Sequence, residues 1–140
     1  MIVVPPDIAE IYPAATPAWR EREIVMRAFS WCVAKGLVIP EFRVHWFHGQ
    51  DGHQLGGVNR RAPQILKLRV DQGERQLLLS AIHELTHIAD LAMDLDMPRA
   101  ILEARADAVE QLARHELGIA WMDRSLDDQI AGAARAMGWR

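Results

Sequence analysis

One cysteine in 140 residues leaves no partner for an internal disulfide, and Cys32 sits between Trp31 and Val33 in a helical stretch, where a buried structural thiol is expected. No charge sign dominates. The 16 lysines and arginines against 19 aspartates and glutamates give a net charge of −3, which supplies no electrostatic footprint for nucleic acid or an anionic membrane surface. No apolar run approaches the roughly 20 residues needed to span a bilayer. The opening Met1-Ile2-Val3-Val4-Pro5-Pro6-Asp7 has no basic region followed by a long apolar stretch, so a secretory leader is not expected and a cytoplasmic setting is. Repeats, linkers and low-complexity tracts are absent as well. What is there is ordinary: 50% hydrophobic and 25% charged residues, the composition of one soluble globular domain with a single core. The five tryptophans read as core or interface anchors.

Against this background one stretch stands out, His83-Glu84-Leu85-Thr86-His87, which fits H-E-x-x-H. By chance the pattern arises in roughly one or two of every hundred chains of this size and composition, so its setting has to decide. Leu77, Leu78, Ala81, Ile82, Leu85, Ile88 and Ala89 recur at three and four, and Asp71-Gln72-Gly73-Glu74 reads as a capping box, which together predict a helix from about Gln72 to about Met93. On that helix the two histidines lie one turn apart on one face and can reach one metal ion. Glu84 is turned about 100° away, beside the metal and not on it, where it can take a proton from water.

A catalytic zinc ion takes three protein ligands and keeps a fourth position open. The next helical stretch offers Glu103, Asp107 and Glu110 at i, i+4 and i+7, all on one face. Fifteen residues lie between His87 and Glu103, enough for one helix to end, turn and return antiparallel. His83-Glu84-x-x-His87 followed by Glu103-x-x-x-Asp107 resembles the gluzincin pattern of thermolysin-type zinc metallopeptidases, and the short chain is similar to the minimal gluzincins, or minigluzincins. SprT-like and antirepressor-type peptidases share parts of the signature. The resemblance covers roughly residues 40 to 117. It implies one zinc ion per chain held by His83, His87 and Glu103, with Glu84 as general base and Asp107 orienting a ligating imidazole. Two departures stand out: Leu102 occupies the position before the glutamate where the thermolysin pattern often has asparagine, and no large substrate-binding domain is present.

The rest of the chain predicts an α+β fold, a small zincin-like domain over residues 1–140. Residues 1–15, with Pro5, Pro6 and Pro13, read as an extended arm, and Thr16-Pro17 as the cap and first position of a helix ending near Gly36. Phe42 to Phe47, Gln54 to Arg60 and Ile65 to Val70 read as three strands, the second short or bulged around Gly56-Gly57, with Gly49 to Gly52 a turn. Asp96 and Pro98 start the glutamate helix, which stops at Gly118, and a C-terminal helical tail follows over 120–140. In the family it resembles, an edge strand receives the substrate peptide. The expected edge here is Ile65, Leu66, Lys67, Leu68 and Arg69, binding by strand addition. A peptide or protein substrate, no nucleic acid, no membrane and a monomeric chain complete the expectation. The alternative is a latent or inactive metal-binding module whose cleft is blocked by its own terminus.

Overall fold

The computed structural model of the chain describes residues 14–49 and 55–118. The expected arm up to residue 13, the turn after Gly49, His53 and the C-terminal tail lie outside the described residues. Three helices and a three-stranded mixed sheet make up the described fold, an α+β domain. In order these are α1 (Trp19–Ala34), β1 (Arg43–Phe47), β2 (Gly56–Asn59), β3 (Ala62–Arg69), α2 (Glu74–Met93) and α3 (Arg99–Leu117). By contact the chain divides into units Met1–Val109 and Glu110–Arg140, the division falling within α3. In the second unit, Arg114 Nη2 donates to Glu110 Oε2 across one helical turn at 3.0 Å. No described helix is long and apolar enough to cross a membrane.

α2 is the core of the first unit. Leu77, Leu79, Ala81, Ile82 and Leu85 have no solvent exposure, and the buried side of α1, Ile24, Val25, Ala28 and Cys32, packs on it. Leu66 and Leu68 of β3 are equally buried. The helix ends differ from the expected ones in instructive ways. α1 begins at Trp19, after Thr16-Pro17, and Ala18 is its capping residue; the Glu21 carboxylate reaches back to accept the Ala18 N–H at 2.6 Å. It closes as expected at Gly36, whose φ of 95° only glycine adopts cheaply, with Leu37 N–H bonded back to Cys32 O. α2 has no side-chain cap. Asp71, the expected capping residue, instead accepts Arg69 Nε at 2.8 Å and Gly49 N–H at 3.1 Å, so its carboxylate joins the ends of β1 and β3. At α3 the carbonyl of Pro98 takes the first helical hydrogen bonds, from Ile101 and Leu102 at 3.0 Å, which makes Pro98 the cap and not the first helical residue.

The sheet order is β1-β3-β2, with β1 and β3 parallel and β2 antiparallel to β3. This corrects the expected edge. Ile65 to Arg69 pair residue by residue with Arg43 to Phe47 on one side, while Leu68 and Lys67 pair with Gly56 and Gly57 on the other. Their backbone groups are committed to the ladder, so Ile65, Leu66, Lys67, Leu68 and Arg69 cannot take up a further strand. The imperfect alternation of this run follows from burial of Ile65, Leu66, Lys67 and Leu68 alike, the mark of a central strand. β2 is the terminal strand on one side. On the other, Ala14 bridges Phe47 and Ala15 N–H bonds Trp46 O at 2.8 Å, so the end of the expected arm lies along β1.

Candidate metal centre

The helical period puts His83 and His87 one above the other on α2, and their rings meet edge to face with centroids 4.8 Å apart. Glu103 reaches them from α3. Its Oε1 lies 3.2 Å from His83 Nε2 and its Oε2 lies 3.2 Å from His87 Nε2. A zinc ion with bonds of about 2.0–2.1 Å to a tetrahedral donor set requires donors about 3.3 Å apart. Two imidazole nitrogens and one carboxylate, all within 4.8 Å of one another, are a donor set of the kind that could hold such an ion. The expected ligands His83, His87 and Glu103 are therefore brought together.

Glu84 stands beside the group and not in it. Its Oε1 is 4.0 Å from His87 Nε2, and its side chain is 12% exposed at the rim of a cleft. Asp107 Oδ1 is 3.7 Å from His83 Nδ1, on the side of the ring away from Glu103, the direction expected of a carboxylate that orients a ligand imidazole. His87 has no such companion among the described residues: its Nδ1 is buried without a hydrogen-bond partner. Burial holds the His87 imidazole below its ordinary pKa, a shift that the Glu103 carboxylate partly opposes. The result favours the neutral ring, which is the form that binds a metal.

Two arginines set the helices in place around the candidate ligands. Asp90, one turn after His87 and only 1% exposed, accepts Arg105 Nε and Nη2 at 2.8 and 3.0 Å, a bidentate pair joining α2 to α3 next to Glu103. Arg60, in the turn between β2 and β3, donates to the carbonyls of Leu95 and Met97 and so fixes the loop between α2 and α3. At the other end of α2, Gln72 Nε2 donates to Leu55 O and Arg69 O at 3.0 and 2.9 Å, and Ser80 Oγ donates to Gln72 Oε1 at 2.9 Å. The helix that carries the histidines is thereby tied to β2 and β3.

Comparison with protein-family models, with curated proteins and with solved structures returns no match. The site is read on its own chemistry.

A cleft of about 620 Å³ opens over His83, His87 and Glu103, walled by β2 and the following turn on one side and by Leu91, Arg99 and Leu102 on the other. Gly56, read from the sequence only as a mark of a short or bulged strand, has a place in the site. A Cβ there would lie 2.9 Å from Lys67 O, 3.1 Å from Leu68 Cδ2 and 3.3 Å from Glu84 Cγ, so only glycine lets β2 come this close to the Glu84 side chain. The doublet Gly56-Gly57 was the available signal, since glycine inside a strand often marks a close approach.

Proposed function

We propose that the chain is a zinc-dependent metallopeptidase of gluzincin type, hydrolysing peptide bonds in the cleft between β2 and α2. The observation that supports the reading is the position of Glu103, whose Oε1 lies 3.2 Å from His83 Nε2 and whose Oε2 lies 3.2 Å from His87 Nε2, close enough for the three side chains to share one metal ion. One zinc ion held there by His83, His87 and Glu103 would polarise the scissile carbonyl and lower the pKa of water toward about 7. Glu84 accepts the proton of the attacking water and passes it to the leaving amine. Asp107 keeps the His83 ring in orientation, and Gly56 lets β2 lie close to Glu84. With β3 paired on both sides, the reading moves the substrate peptide to β2, the terminal strand of the described sheet. A cytoplasmic location belongs to the same reading and agrees with Cys32, a lone buried thiol whose pKa burial pushes up to about 12.

Metal content and turnover test the roles separately. Glu84→Gln is expected to bind zinc as the parent does and to lose peptide hydrolysis by about a thousandfold or more, while His87→Ala loses the metal. Undiminished turnover in Glu84→Gln refutes the assignment of the base, and stoichiometric zinc in His87→Ala refutes the site.

A further inference from the structure

The cleft carries a charge that the chain as a whole does not. The sequence has a net charge of −3, yet among the described residues the cleft is lined by Arg60, Arg61, Lys67 and Arg99 and by the carboxylates Glu84 and Glu103; Arg61, Lys67 and Glu84 have partners of their own, which leaves Arg60 and Arg99 as the cations that matter here. In the proposed site, both carboxylates are already committed, one to the metal and one to the proton. Arg60 spends its hydrogen bonds on the carbonyls of Leu95 and Met97, acceptors that leave its positive charge uncompensated. Arg99 is exposed and has no hydrogen-bond or ion-pair partner among the described residues. It stands at the first position of α3, where the helix dipole disfavours a cation, and the first turn holds no acidic residue to offset it. A cation kept where the helix gains nothing from it, facing a metal centre, adds to a positive potential in a walled cleft, which draws anions from solution.

We infer that this cleft recognises a carboxylate, so that the preferred peptide presents a carboxylate group beside the bond to be cut, with Arg99 as the specificity-determining contact. The inference rests on the peptidase reading for its substrate class. The same carboxylate can come from an aspartate or glutamate side chain or from the free C-terminus of the peptide, which would make the enzyme trim chain ends. Arg99 meets it with a planar fork of donors suited to bidentate pairing.

Four dye-labelled peptides of one sequence test this on the full chain loaded with zinc, using the Glu84→Gln form to hold them uncut. They carry glutamate or glutamine at one internal position and end in a free acid or an amide. Fluorescence anisotropy is expected to show at least tenfold tighter binding for a carboxylate-bearing peptide than for the doubly neutral one, falling as salt is raised. The internal pair and the terminal pair tell the two sources apart. Arg99→Ala is expected to cut the preference at least fivefold and Arg99→Glu to abolish or reverse it. As Arg99 is exposed and unpaired, neither change threatens folding, and circular dichroism checks this. Equal binding of all four peptides, binding of none, or a preference unchanged in Arg99→Glu overturns the inference. If the parent chain nevertheless hydrolyses neutral peptides, the peptidase reading survives that failure. A carboxylate preference that depends on Arg99 in a parent chain that cuts nothing upholds the cleft's specificity and removes the peptidase reading instead.

Discussion

α2 buries thirteen of its twenty residues, nine of them aliphatic, whereas the stretch of α3 that carries Glu103, from Arg99 to Val109, buries only Leu102 and Ala106. Both helices supply side chains to the candidate site, but different forces hold them. The histidine helix is positioned by close packing, which tolerates no displacement without opening a cavity. The glutamate helix is positioned by Arg105 on Asp90 and by Arg60 on the preceding loop, charged hydrogen bonds that can break without exposing a core. Two of the three candidate ligands therefore belong to the folding unit itself, and the third can be lost from the candidate site while the fold persists.

The sharpest way to break this contrast is to damage each helix where its holding force acts. Leu85→Ala empties a fully buried position between the two histidines and is expected to cost about 2–5 kcal/mol of unfolding free energy, read from the urea midpoint. Glu103→Gln should leave the metal-free protein within about 0.5 kcal/mol of the parent while removing most of its zinc affinity. Comparable destabilisation by the two changes would show that α3 is as much part of the core as α2.

Next in size is the Asp90–Arg105 pair. Arg105→Ala leaves a carboxylate of 1% exposure without its donors, and about 1–3 kcal/mol of stability is expected to go; the low end is favoured because the guanidinium side is half exposed. Zinc affinity should fall about tenfold as Glu103 loses its register. Adding Asp90→Asn to Arg105→Ala should return part of the stability, by removing the stranded charge, without returning the affinity. Lack of any zinc effect in Arg105→Ala would reduce the pair to a surface tie.

The same contrast separates what the sequence discloses from what it conceals. α2 was legible because a buried helix writes its packing as a period of three and four, and Gly36 and Gly118 mark helix ends because their φ values of 95° and 67° are costly for other residues. That His83, His87 and Glu103 come together followed from spacing on two helices. Hidden were the features made by chain segments meeting. Asp71 was read as a cap from local pattern, but Arg69 and Gly49 compete for it once β1 and β3 are parallel neighbours. β3 was read as an edge because strand order is not written in any one strand. Arg60 and Arg99 carry no motif, and with Gly56 they gain their place in the cleft only where turn, helix and strand converge.

The smallest expected effect concerns His87, which belongs to both sides of the comparison, being buried with α2 and bonded to Glu103 of α3. Burial lowers its pKa below the value of about 6.5 that an unfolded chain gives it, against the opposing pull of Glu103. Between the two values the unfolded chain binds the proton and the folded one does not, so stability rises with pH across this range. The contribution is fully present above about pH 6.5 and is lost as the pH falls through the lower, folded value. Metal-free protein should accordingly melt at lower temperature as the pH is taken from 7.5 to 5, and His87→Gln should show a shallower decline. The variant is the necessary control, because protonation of carboxylates also destabilises in acid and would remain in it. Identical slopes for the two proteins would mean that Glu103 offsets the burial of the ring completely, and that the ionic side of the site, not the packed one, governs its protonation.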